Sequence, residues 1–192
     1  MSDQNKRRLD YFYFIVDVSY SMTGRRLGVV NESIISIVNR LKRMMKYEGI
    51  EARVILQTFS EDVEWSSMIP QSIERFVYHG LNIRDRASNL KRSLLELNTK
   101  MQRQYEVQGD DDSNTTVILY TDGLSTDSYS EAIDLLNKNP LFTRSNRIGV
   151  TFRSPLVELC TKKVFVDFCG TENNVIIEDF ALLNQLIFDR YV

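Results

Sequence analysis

Asp17, Ser19 and Ser21 are the residues of this chain whose types and spacing could do chemistry. Alternate residues of an extended segment point the same way, so one carboxylate and two hydroxyls can converge on a point. They are hard oxygen donors with no Cys or His among them. Such a set suits magnesium, manganese or calcium and is poor for zinc or copper. A blander reading makes them a strand end and a capped turn, with Ser21 or Thr23 as N-cap of the next helix. Two other candidates read weakly. The aspartate run Asp110 to Asp112 lacks the spaced pattern of a calcium loop and reads as a solvated acidic turn. The only histidine, His79, sits in a polar, loop-like stretch with no matched nucleophile and reads as a surface or helix-end residue.

The elements that must position the triplet follow from hydrophobic pattern. Tyr11 to Val16 is a continuous run of aromatic and aliphatic residues, the signature of a strand buried on both faces. Asp17 ends it, at the strand edge where open α/β sheets bind ligands. Thr115 to Thr121 repeats this grammar and ends in Asp122-Gly123. Ala52–Phe59 and Arg147–Phe152 read as further strands, with a short one at Val175–Ile177 and a shorter hairpin partner over Val63–Ile69 that ends at Pro70. Helical periodicity runs over Gly28–Lys46, stopped by Gly49, and from Ser88, placed as N-cap, to about Tyr105. Tyr129–Lys138 is a third helix, with Ser128 or Ser130 as cap, Leu135 among its inward residues and Pro140 ending it. A last helix opens at Glu178 or Asp179 and buries Leu182, Leu183, Leu186 and Ile187. Gln71–Arg84 fits a short helix followed by loop. Lys162–Cys169 alternates like a strand, yet Gly170 stands where a helix would end. Strand and helix alternate throughout, which predicts a mainly parallel sheet with helices on both faces.

Length and composition bound the function. The chain has 192 residues, 43% of them hydrophobic, which predicts one globular domain over residues 1–192. A net charge of −2 with interspersed signs gives no basic face for nucleic acid. No apolar stretch approaches a membrane span, and the polar N-terminus is unlike a signal peptide, so a cytoplasmic location is expected. Cys160 and Cys169 are then expected to be reduced and buried.

Three stretches together resemble a known family. DVSYS at Asp17–Ser21, ASNLKRSL at Ala87–Leu94 and YTDG at Tyr120–Gly123 are similar to the three loops of von Willebrand factor A domains. The resemblance implies a three-layer, Rossmann-like fold: a mainly parallel central sheet with one short antiparallel edge strand, and helices on both faces. It also makes Lys162–Cys169 a helix. In that family an Asp-x-Ser-x-Ser loop, a Thr from a second loop and an Asp from a third form a metal-ion-dependent adhesion site. By position these are Asp17, Ser19 and Ser21, then Ser88 where the family has Thr, and Asp122. Met22-x-Gly24 and Val30-Asn31 look most like the bacterial tellurium-resistance TerY-type branch. The chain departs from the pattern at Tyr20 and Ala87, where the family usually has Gly. Ser88 lacks the methyl that stiffens a Thr rotamer. None of these removes a ligand oxygen.

The resemblance implies a non-catalytic binding device holding Mg2+, or Mn2+ or Ca2+, whose open position takes a carboxylate from a protein partner. The TerY-type branch implies a bacterial tellurite-resistance or related stress-response assembly, often encoded beside a kinase and a phosphatase, either of which could be that partner. The competing class is a magnesium-dependent phosphatase, since haloacid dehalogenase-type enzymes place a nucleophilic Asp at the same strand end. They need a second Asp two residues on, where this chain has Ser19, and no G-x-x-x-x-G-K-[ST] phosphate loop is present. A scaffold with a vestigial site is the third reading, supported by Ala87-Ser88.

Overall fold

A computed structural model of the chain describes residues 9–108, 113–125, 127–153 and 161–191. In chain order the elements are β1 (Leu9–Asp17), α1 (Arg25–Glu48), β2 (Glu51–Phe59), β3 (Val63–Trp65), β4 (Gln71–Ser72), α2 (Leu90–Gln108), β5 (Asn114–Tyr120), α3 (Ser130–Leu136), α4 (Pro140–Thr143), β6 (Asn146–Thr151), α5 (Thr161–Cys169), β7 (Val175–Ile177) and α6 (Phe180–Phe188). The strands form one sheet in the order β3-β2-β1-β5-β6-β7, with β4 also paired to β2. β2, β1, β5, β6 and β7 are mutually parallel, and β3 and β4 run antiparallel to β2. This is an α/β fold with a mostly parallel central sheet and flanking helices.

β1 lies at the centre, and its alternation divides the core. Phe12, Phe14 and Val16 pack on one face with Val30, Ile34, Ile37 and Leu41 of α1 and with Leu183 and Ile187 of α6. Tyr11, Tyr13 and Ile15 pack on the other with Leu90, Leu94 and Leu97 of α2, Ile133 of α3, Phe142 of α4 and Phe165 and Phe168 of α5. Each such fully buried side chain contributes about 1.5–3 kcal/mol. The strand end that carries Asp17 is therefore held from both sides. α5 is a helix over the stretch whose alternation alone suggests a strand, and Gly170, at φ 75°, follows it in the left-handed region. Gly49 ends α1 in the same way, at φ 70°.

Several local expectations fail, each for a physical reason. Gln71–Arg84 holds no helix: Gln71–Ser72 is a two-residue strand on β2, and Ile73 and Phe76 are buried from an otherwise irregular segment. The antiparallel edge thus comes in two pieces, β3 and β4. Pro140 begins α4 instead of ending α3, because the Asn139 side chain accepts from the Leu141 and Phe142 amides and caps a new turn. Neither Ser128 nor Ser130 caps α3, whose N-cap position is Tyr129 with no side-chain bond. Leu135 and Leu182, read as inward-facing, are 47% and 36% exposed. Cys169 is a free, buried thiol, and burial pushes its pKa up to about 12. Cys160 and the aspartate run lie outside the described residues. Among the described residues no helix is long and apolar enough to cross a membrane.

Candidate functional site

β1 and β5 are parallel neighbours, with Val16 opposite Tyr120, so Asp17 and the Thr121-Asp122 segment emerge at the same sheet edge. Asp17 is fully buried there, and the Ser19 amide donates to its Oδ1 at 2.9 Å. That bond folds the first loop back on the strand end. One 3-10 turn follows over Tyr20–Met22, anchored by the buried Met22. Gly24 then supplies the φ of 76° that lets the chain enter α1.

Gly24 occupies the N-cap position of α1 and makes no side-chain bond, so neither Ser21 nor Thr23 caps that helix. The Thr23 hydroxyl bonds back to the Tyr20 carbonyl instead. The Ser21 hydroxyl lies 3.1 Å from that of Ser19.

The second loop brings Ser88 into the same cluster. Its hydroxyl donates to Asp17 Oδ2 at 2.9 Å. It is therefore not the cap of α2; the Asn89 side chain takes that role, accepting from the Arg92 amide at 3.2 Å. The loop is fastened to the first by the Arg84 amide on the Val18 carbonyl at 3.0 Å and the Tyr20 amide on the Asp85 carbonyl at 2.7 Å. The third loop adds Thr121, whose hydroxyl donates to Asp17 Oδ2 at 2.7 Å. Asp127 fastens it to α2 by accepting from the Lys91 amide at 2.8 Å. Asp122 is fully buried, and its Oδ1 accepts from the Leu124 amide at 3.1 Å.

Asp17, Ser19, Ser21 and Ser88 thus converge directly. Asp122 joins them through an arginine: Arg26 Nη1 donates to the Ser21 carbonyl at 2.8 Å and to Asp122 Oδ2 at 2.6 Å. Thr121 and Arg26 are the site residues that sequence reasoning misses. Thr121 falls in the buried strand run, where a Thr reads as a strand former. Arg26 did leave a signal, because Arg25 and Arg26 open α1 with no acidic residue in its first turn. Cations there oppose the helix dipole, so another group must favour them.

The electrostatics are lopsided. Burial raises the Asp17 pKa above the usual carboxylate value, outweighing the Ser19 amide and the Ser19, Thr121 and Ser88 hydroxyls that favour its charged form. None of its hydrogen-bond donors is a cation. The donor chemistry fits a small divalent ion. Two ligands adjacent in an octahedral shell of about 2.1 Å bonds lie about 3 Å apart, and the Ser19 and Ser21 hydroxyls are 3.1 Å apart. The described residues hold no cluster of three His, Cys, Asp or Glu side chains able to bind a metal, so a site here depends on hydroxyls.

The von Willebrand factor type A domain family matches residues 12–186. The chain belongs to this family. Several solved structures share the fold at low identity. The pilus adhesin SpaC of Lactobacillus rhamnosus GG is 12% identical with a TM-score of 0.68, over 96% of this chain and 30% of the adhesin. A conserved hypothetical protein, BatB of Bacteroides thetaiotaomicron, is 12% identical with a TM-score of 0.61, over 94% of this chain and 98% of BatB. The proximal thread matrix protein 1 of the mussel byssus, solved with a zinc-occupied MIDAS motif, is 14% identical with a TM-score of 0.58, over 95% of this chain and 45% of that protein. The chain therefore spans less than half of the mussel protein and about a third of the adhesin. No curated protein matches in sequence.

Proposed function

We propose that this von Willebrand factor A chain is one non-catalytic domain that binds a protein partner through a divalent cation. The observation that supports this best is the buried Asp17 carboxylate, surrounded by hydroxyls and without a cationic donor. A buried carboxylate of that kind costs several kcal/mol, and a divalent ion would offset that cost. Asp17, Ser19, Ser21 and Ser88 would hold the ion, with Asp122 completing the set. Magnesium is the preferred ion on the Ser19–Ser21 spacing, with manganese close to it; zinc, seen in the mussel relative, belongs in the comparison. A bound ion supplies an electrophilic position that a partner's carboxylate can fill. Tyr20, 63% exposed, and Leu124, 40% exposed, stand in the loops around it and offer apolar contact to the residues flanking that carboxylate.

The TerY-type features of the first loop suggest a partner within a tellurite-resistance or stress-response assembly, such as a kinase or phosphatase encoded nearby, and a cytoplasmic setting. The test is capture of partners from the source cell's extract in magnesium, calcium, zinc and chelator, using wild type and Asp17→Ala. A partner retained in magnesium, released by chelator and missed by Asp17→Ala is the expected result. Equal capture in chelator and by the variant would mean that the partner uses another surface.

A further inference from the structure

Arg26 is the one cation in direct contact with the site among the described residues, and it is committed to the third loop. Its side chain is 25% exposed, and the guanidinium bonds the wholly buried Asp122 carboxylate at 2.6 Å and the Ser21 carbonyl at 2.8 Å. The second Asp122 oxygen already accepts from the Leu124 amide. Asp17, by contrast, has only neutral donors. The two carboxylates are thus unequal: one is neutralised from within the chain and the other is not.

We propose that Arg26 is an internal counter-ion that sets the charge of the site, and so selects an anionic partner over tight cation binding. The inference rests on the cation-binding reading above. With Asp122 neutralised by Arg26, a divalent ion held at Asp17 keeps one uncompensated positive charge. That charge lowers the affinity for the ion itself and raises the affinity for an anion that completes its shell. The N-terminus of α1, which carries Arg25 and Arg26, adds positive potential on the same side. Arg26 therefore determines specificity by charge, without needing to touch the partner.

A second role for the same contacts is purely mechanical: Arg26 could hold Asp122 in place as a required ligand. The two roles give opposite signs. The experiment is a calorimetric titration of Mn2+ and of Mg2+, metal alone, into wild type, Arg26→Gln, Arg26→Lys, Asp122→Asn and the double variant Arg26→Gln/Asp122→Asn. Melting curves in chelator establish that each variant is folded. Charge control predicts that Arg26→Gln binds Mn2+ at least about tenfold more tightly and Asp122→Asn at least about tenfold more weakly, the change a unit charge near a divalent ion produces even under water-like screening. The double variant then returns near wild type, and Arg26→Lys stays near it too. Should Arg26→Gln fail to fold, the double variant and Arg26→Lys carry the same comparison.

Weaker or unchanged binding by Arg26→Gln, with the double variant no better than Asp122→Asn, overturns charge control in favour of simple positioning. Mn2+ binding by Arg26→Gln alone would support charge control in its strongest form. Absence of binding in every variant and in wild type overturns the cation reading itself, and charge control with it.

Discussion

Asp17 is asked to do two incompatible things, to end the most buried strand and to keep a charge. Burial raises its pKa, so the folded protein holds the proton more tightly than the unfolded chain does. In chelator, stability should therefore fall as pH rises from the ordinary carboxylate value through the raised folded one, and level off above it. Asp17→Asn should abolish that fall and stabilise the chelated protein by about 1–3 kcal/mol near neutral pH. The amide oxygen can keep the Ser19 bond, and the Ser88 and Thr121 hydroxyls can turn to accept from its NH2 group. Urea denaturation of both proteins between about pH 4 and pH 8 would measure it. Added magnesium should stabilise only the wild type, because the variant lacks the charge that binds it. A variant less stable than wild type in chelator would mean that the carboxylate is already compensated.

At the scale of elements, a tight joint lies between β6 and α5. A Cβ at Gly149 would sit 2.4 Å from Phe165 Cδ1 and 3.2 Å from Cys169 Sγ, so the strand and helix meet where only hydrogen fits. Gly149→Ala should cost about 1–3 kcal/mol as overpacking, read as a lower denaturation midpoint at unchanged slope. Nothing in RIGVT announces that contact, since its partner lies in a separate element, the helix that follows. What was legible were features that concentrate their signal locally. The aromatic run of β1 ends in Asp17, and the same pattern at β5 ends in Asp122; two parallel strands with the same ending must put both acids on one edge. Ser88 shows the limit. Capping rules made it a helix start, and only the likeness to the family's loops put its hydroxyl in the site. The Arg26–Asp122 pair joins residues 96 positions apart, and each is a surface-type charge by composition. A two-residue strand such as β4 is too short to carry any period.

Across the whole molecule the two sheet edges differ in purpose. At the edge opposite the candidate site, Asp10 is fully buried and accepts from Asn114 Nδ2 at 2.8 Å and from the Tyr191 hydroxyl, which ties the chain's end to its central strand. At the site edge three loops are cross-bonded. Cation binding should consequently slow amide hydrogen exchange in residues 18–23, 84–89 and 121–125 together, and leave the amides around Asp10 and Asn114 unchanged. Protection confined to one loop would show that the loops do not act as a unit. The broken flank of the sheet has its own effect. β3 and β4 offer three and two residues, and Pro70 beside them has no amide hydrogen to donate; β7, on the far flank, is three residues long. Among the described residues, a stranger's extended segment, or a second copy of this chain, finds only these short edge strands to pair with. Among the described residues, both flanks thus disfavour recruitment by strand addition and the edge-to-edge polymerisation that troubles open sheets.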